Sequence, residues 1–268
     1  STRHLNNLKR LANRNSANFP MILEFHPRDD VVFVIQAWVW GHDLGRKLDH
    51  AERHPKSWPH PAECFQIYRR LAHALTQVHK ETGLVHGDVK PSNIVMVRNR
   101  VFLIDFGNAW TLEQSAHRPS GEGLSGPYSS PEQYRGDGFS GVASDYFSAS
   151  VIGYQLLTRQ LPFNGLGGKS GISQGGNNTT VKLVPASELS PYRALMRPEF
   201  WQHIDQILST ALDLTATNRF PIASAWLDEI ESLNSLLKQK TTFTPWNKKL
   251  VNAMNWFASW FRKNNSSV

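Results

Sequence analysis

Leu5, Leu8 and Leu11 recur at helical spacing near the start of the chain, and the pattern predicts an amphipathic helix over residues 3–15 that ends near Asn15-Ser16. Two short apolar runs follow at 21–25 and 31–36, and Pro27-Arg28-Asp29-Asp30 between them reads as a hairpin turn. Past Gly41 the period lengthens to about 3.6 residues, which predicts helices over 62–80, 143–158, 199–213 and 222–238. Within that stretch, apolar runs at 94–97 and 101–104 flank Arg98-Asn99-Arg100, a second hairpin. Residues 164–180 are rich in Gly and Asn and read as a mobile loop. A short strand-bearing start followed by a mostly helical remainder is an α+β arrangement, and no internal repeat interrupts it.

Composition narrows the picture modestly. The 268 residues, 40% of them hydrophobic, suffice for one sizeable core or two smaller ones joined by a hinge. Cys64 is the only cysteine, which excludes an internal disulfide framework and suits a reducing compartment, with the cytoplasm as default. No apolar stretch reaches the roughly 18 residues of a membrane span, and the first residues lack a signal-peptide core. The net charge of +7 favours anionic partners. Part of that excess sits in Lys248, Lys249, Arg262 and Lys263, and no RNA-binding or helix-turn-helix pattern accompanies it, so nucleic acid is not an expected partner. Residues 243–262 place Trp246, Leu250, Met254, Phe257 and Phe261 at helical spacing. Such a helix packs on the rest of the protein or a partner domain, or lies on an anionic membrane surface. His50, His54 and His60 fall in a polar, Pro-broken stretch that suits a solvated loop better than a metal site.

The densest chemistry lies in His86-Gly87-Asp88-Val89-Lys90-Pro91-Ser92-Asn93, a hairpin, and then Val101-Phe102-Leu103-Ile104-Asp105-Phe106-Gly107. Two carboxylates, an amide and an ammonium then stand at the mouths of two adjacent strands, the set needed to hold metal-bound phosphates beside a hydroxyl nucleophile. Asp88 and Asp105 are 17 residues apart yet flank one hairpin. Asp105 leaves an apolar strand and meets Phe106-Gly107, where the glycine is expected to permit the sharp turn that aims the carboxylate at a metal.

These residues resemble the catalytic loop and metal-binding turn of eukaryotic-type serine/threonine protein kinases, a family found in bacteria too. The resemblance implies a partial small lobe at 1–40, a helical large lobe at 41–238 and a C-terminal amphipathic extension at 239–268. It implies that Asp88 accepts or orients the substrate hydroxyl proton, that Lys90 sits near the transferred phosphate, and that Asn93 and Asp105 hold Mg²⁺. Tyr128-Ser129-Ser130-Pro131-Glu132 resembles the end of a kinase activation segment, and Ser125 falls where the family carries a threonine bonded to the catalytic aspartate and lysine. Ser144-Asp145 resembles the start of the helix whose aspartate braces the catalytic loop, and Arg219 the arginine that pairs with the segment's glutamate, here Glu132. Residues 33–41 resemble the strand and hinge that bind adenine through main-chain groups of Ala37 and Val39, with Gln36 as gatekeeper. ATP, Mg²⁺ and a protein substrate are the implied partners.

The departures carry weight as well. Within these residues no glycine-rich phosphate loop and no lysine-bearing strand precede the first helix, so the chain reads as an N-terminally incomplete or degenerate kinase. Without that loop and lysine the α- and β-phosphates lack their main positioning charge and cradle, and weak transfer is expected from these residues alone. Gly87 replaces an arginine that in the family pairs with a phosphorylated activation segment, so that switch is expected to be absent. His86-Gly87-Asp88 also resembles the aminoglycoside and choline phosphotransferases, against which Lys90-Pro91, Pro131-Glu132 and Arg219 favour the protein-kinase branch. A non-catalytic partner-binding module is the third reading, opposed by the retention of Asp88, Asn93 and Asp105. Alanine at Ser125 in the complete protein should lower turnover in a steady-state phosphorylation assay, whereas alanine at Ser115 or Ser120 should not; equal loss at all three contradicts this assignment.

Overall fold

Helix α1 (Thr2–Lys9) stops six residues before the leucine spacing suggests. Asn7 turns inward, its Nδ2 donating to the Ala109 carbonyl at 2.9 Å and to Gln114 Oε1 at 2.8 Å. The chain then tightens through Arg10 and Leu11, and Ala12 leaves the helix to form a parallel bridge with Ile22. Leu11 is buried as an anchor beyond the helix end. The computed structural model describes residues 2–12, 14, 16–28, 31–115, 123–135, 141–172 and 181–239; Ser120 and the extension at 243–262 lie outside them.

Strands β1 (Ile22–Arg28) and β2 (Val31–Gln36) pair antiparallel, with Phe25 opposite Val34 and Pro27 opposite Val32. The strand runs on through Pro27, where a turn was expected, because an edge strand tolerates a residue with no N–H to give. Strand β3 (His42–Asp43) joins a different sheet, pairing with β5 (Ile94–Val97), which pairs in turn with β6 (Arg100–Leu103). The β5–β6 turn is tight: Arg98 adopts φ 52° and Arg100 already faces Val97, so β6 starts one residue before its apolar run. Asn18 ties the N-terminal part to this sheet, its carbonyl accepting from Leu103 N at 2.7 Å and its Nδ2 donating to the Val101 carbonyl. A third pairing joins β4 (Leu84–Val85) to β7 (Trp110–Thr111).

Helix α2 (Leu44–Arg53) is capped by Asp43, whose Oδ1 accepts from Arg46 N at 2.8 Å. Helix α3 (Pro61–Thr82) starts with His60 as cap and Pro61 in its first turn. After α4 (Leu112–Ser115) and α5 (Pro131–Arg135) comes α6 (Val142–Thr158), buried at every position from Ala143 to Thr158. A helix buried on all sides needs neighbours on all sides, and partners for the polar side chains it carries inward. Those neighbours include α3, α7 (Ala186–Leu189) and α8 (Pro198–Ala211), with α9 (Ala223–Gln239) packed on α3 and α8. Tyr68 fastens three of these helices, since its hydroxyl meets Ser150 Oγ at 2.8 Å and accepts from Trp226 Nε1 at 3.0 Å. Among the described residues no helix is long and apolar enough to cross a membrane.

Part of the glycine-rich stretch is packed against the fold. Residues Gly167–Gly171 form a 3-10 turn pressed against the segment before α5. A Cβ added at Gly168 would lie 1.9 Å from the Ser129 carbonyl oxygen, and one at Gly167 only 1.8 Å from that of Pro127. Close backbone approach, rather than flexibility, explains these glycines. The remainder of that stretch, 173–180, lies outside the described residues. Gly168→Ala should force the two backbones apart at about 1–3 kcal/mol and lower the thermal midpoint by several degrees; a melting curve superimposable on the wild type contradicts the packing.

Candidate active site

The loop between β4 and β5 carries the candidate residues Asp88, Lys90 and Asn93, and its shape is imposed from below by Asp145. That carboxylate is 1% exposed, so it must be satisfied by protein donors. Its Oδ2 accepts from the backbone N–H of His86 at 2.8 Å and from His79 Nε2 at 2.7 Å, while Oδ1 accepts from Gly87 N at 2.9 Å. Burial alone would push the Asp145 carboxyl up; the hydrogen bonds from His79 and the Gly87 amide more than reverse this and hold it below the usual range. From above, Gln133 Nε2 donates to the Gly87 carbonyl at 2.9 Å.

His86 is wholly buried and its imidazole is pushed down by desolvation, so it stays neutral. Its partners fix the tautomer: Nε2 faces the Ile104 carbonyl, which can only accept, and Nδ1 faces Asp88 N–H, which can only donate. Its ring lies 4.7 Å from Phe106, which in turn meets Phe19 edge-on at 6.0 Å. The loop is thereby joined to the Asp105 turn and to the segment entering β1.

Asp88, 5% exposed, is the hub of the site. Oδ1 accepts a short hydrogen bond from Ser125 Oγ, and Oδ2 accepts from Lys90 Nζ at 2.8 Å and from Asn93 Nδ2 at 3.3 Å. Lys90 Nζ also reaches Ser125 Oγ at 3.0 Å, so aspartate, lysine and serine close a triangle. Asn93 is anchored by a second bond from Nδ2 to the Asp88 carbonyl, which leaves its amide oxygen as the end able to face a cation. Main-chain bonding brings Asp105 alongside, because Ile104 N donates to the Asn93 carbonyl at 3.0 Å.

The Asp105 turn differs from expectation in one respect. The left-handed residue is Asp105 itself, at φ 62°, rather than Gly107. Asp105 caps the 3-10 turn Phe106–Asn108, its Oδ1 accepting from Gly107 N at 3.2 Å; a Cβ at Gly107 would sit 3.1 Å from that oxygen. The carboxylate is exposed, and with the Asn93 oxygen it makes a hard-oxygen donor set of the kind that suits Mg²⁺.

Gln36 ends β2, and Ala37 N donates to the Met21 carbonyl at 2.8 Å. Val39 is half-buried between Trp38 and Trp40, which are 76% and 81% exposed. The segment then enters β3, whose pairing with β5 sets it beside the strand that follows Asn93. Away from these groups, His50 in α2 stacks at 4.4 Å on His54, the residue that ends the helix, and His60 caps α3. Among the described residues no three His, Cys, Asp or Glu side chains gather as a metal cluster.

Glu132 and Arg219 form a two-pronged ion pair at 2.7 and 2.9 Å, with Ser144 Oγ donating to Glu132 and the guanidinium lying 4.7 Å from the Phe147 ring centre. Burial would raise the Glu132 carboxyl, but Arg219 and Ser144 outweigh it and hold it below the ordinary range. Three participants carried no signal of their own in the sequence: His79, Gln133 and Asn108, whose Nδ2 donates to Asp88 Oδ2 at 3.3 Å. Only its place directly after Asp105-Phe106-Gly107 could have drawn notice to Asn108.

A family model for the protein kinase domain matches residues 2–228, and the chain belongs to that family. A probable serine/threonine-protein kinase of Clostridium perfringens is 25% identical over 226 residues, 83% of this chain and 30% of the relative. The probable serine/threonine-protein kinase PknB of Bifidobacterium longum is 31% identical over 172 residues, 63% of this chain and 23% of the relative. Serine/threonine-protein kinase PrkC of Bacillus subtilis is 31% identical over 151 residues, 55% and 22% of the two. The chain thus spans less than a third of the length of each of these relatives. The PknI kinase domain of Mycobacterium tuberculosis superposes with a TM-score of 0.58 at 19% identity, covering 87% of this chain and 78% of that one, a likeness of fold.

The buried pair makes a pH-dependent prediction. A carboxyl held below its unfolded value stabilises the fold above that unfolded value, about pH 4.3 for Glu, and loses this contribution as pH falls through the folded value. Arg219→Met should therefore cost about 3–5 kcal/mol at pH 7, where Glu132 is left buried and unpaired, and clearly less near pH 4, where the orphaned carboxyl takes up a proton. Urea denaturation of both proteins at the two pH values checks it; an equal cost at both contradicts it.

Proposed function

We propose that this chain is the catalytic region of an ATP- and Mg²⁺-dependent serine/threonine protein kinase, transferring the γ-phosphate to a protein hydroxyl. The observation that carries the reading is the Asp88–Lys90–Ser125 triangle with Asn93 on the same carboxylate. It is the arrangement a hydroxyl nucleophile needs: an anionic acceptor for its proton, and beside it an ammonium for the developing charge of the transferred group.

Asp88 orients the substrate hydroxyl and takes its proton. Lys90 neutralises charge on the phosphoryl oxygens during transfer, and Ser125 holds both side chains in register. Asn93 and Asp105 hold Mg²⁺ through an amide and a carboxylate oxygen, and the ion when bound screens phosphate charge. Gln36, the Ala37 carbonyl and main-chain groups of Val39 would border the adenine, the Ala37 N–H being already given to the Met21 carbonyl. Pro131-Glu132, tied to Arg219, supports the protein-substrate reading over a small-molecule phosphotransferase, since that element anchors the segment that follows Ser125.

The decisive pair of measurements is phosphate transfer to a generic protein substrate, compared with aminoglycoside and choline acceptors, and nucleotide binding with and without Mg²⁺. Asp88→Asn should reduce transfer by about a hundredfold or more while keeping nucleotide binding, and Asp105→Asn should abolish the Mg²⁺-dependent part of binding. Transfer to aminoglycoside or choline in preference to protein, or full transfer by Asp88→Asn, contradicts the assignment.

A further inference from the structure

The Asp88 carboxylate is held from both sides of the β5–β6 hairpin. Lys90 and Asn93 approach Oδ2 from the catalytic loop, and Asn108 approaches the same oxygen from the far end of the Asp105 turn, at 3.3 Å. Oδ1 has a single described side-chain partner, Ser125 Oγ. A carboxylate oxygen offers about two lone-pair directions, so three donors saturate Oδ2 and leave Oδ1 with capacity. The terminal torsion of an aspartate is broad and two-fold, so nothing intrinsic to Asp88 decides which oxygen faces a nucleophile.

We infer that Asn108 is a positioning residue for the reaction proposed above: with Asn93 it pins Asp88 by Oδ2, so that Oδ1 is the oxygen presented to the substrate hydroxyl. The inference rests on the phosphotransfer reading for its consequence, though the contact stands apart from it. In the transfer step the hydroxyl oxygen bonds to the γ-phosphorus, the bond from that phosphorus to the β–γ bridging oxygen breaks to leave ADP, and the hydroxyl proton passes to Oδ1. An amide suits this post because it donates without adding charge next to Asp105. Its position matters equally, since Asn108 closes the 3-10 turn that Asp105 caps. One short turn therefore carries both a candidate metal-binding carboxylate and a donor to the base, and a displacement of that turn is felt at Asp88.

The test uses the full-length protein with three variants. Asn108→Leu keeps the volume and removes the donor, Asn108→Ser restores a shorter donor, and Asp88→Ala removes the acceptor. Asn108→Leu should lower kcat by about tenfold, the loss of one hydrogen bond to a charge, with KM for ATP within about twofold of wild type. Asn108→Ser should recover part of the loss. A second readout needs no turnover: the Asn108 side-chain NH2 resonances, identified by their disappearance in Asn108→Leu, should move in Asp88→Ala. Unchanged kcat in Asn108→Leu, or NH2 resonances unmoved in Asp88→Ala, overturns the inference. If the wild-type protein transfers no phosphate while those resonances still respond to Asp88→Ala, the phosphotransfer reading fails and the contact is upheld.

Discussion

A carboxylate enclosed among buried helices has no water to solvate it, and Asp145 meets that constraint by drawing the loop after β4 onto itself. Its three donors are two consecutive backbone N–H groups, of His86 and Gly87, and the imidazole of His79. Because α6 is buried on every side, Asp145 cannot shift to follow the loop; the loop must come to it. With residues 86 and 87 fixed, Asp88 follows directly, and Lys90 and Asn93 are set by the short turn after it. Leaving such an acid unsatisfied costs more than any one of these bonds contributes, so the geometry of the loop is enforced by a penalty rather than by a sum of gains.

The second half of the site depends on another buried pair. Glu132 and Arg219 hold α5 against the loop preceding α9, and Gln133, the next residue, reaches the Gly87 carbonyl. On its other side the segment 127–130 is covered by Gly167 and Gly168 at distances that exclude any side chain. Ser125 is thus held between two fixed walls: its N–H donates to Ser129 Oγ at 2.8 Å and its hydroxyl meets Asp88. Two ion-bearing anchors, one below the loop and one behind the segment, together bring an aspartate, a lysine and a serine into contact across 37 residues of sequence.

Much of this was legible in the sequence, for identifiable reasons. The long helices declare themselves because their apolar period is sustained over many turns, and α3, α6, α8 and α9 lie within a few residues of the expected spans. The catalytic-loop pattern is readable because its residue types stand at fixed offsets on one short turn. What escaped depends on tertiary contact. Helix α1 ends early because Asn7 is bonded to a carbonyl 102 residues away. Gly167 and Gly168 look like loop residues until the facing carbonyls are seen. Asn108 reads as one more residue after Gly107 until its reach to Asp88 is measured, and His79 is indistinguishable from any polar residue near a helix end.

Asp145 is the device that shapes the loop carrying His86 to Asn93, and amide hydrogen exchange tests this most directly. In Asp145→Asn the His86 and Gly87 amides should exchange at least about tenfold faster than in the wild type, while core amides of α3 such as Leu71 and Leu75 keep their protection. Unchanged exchange at His86 and Gly87, with the variant folded, would show that the loop holds its shape without the buried carboxylate and would contradict the account.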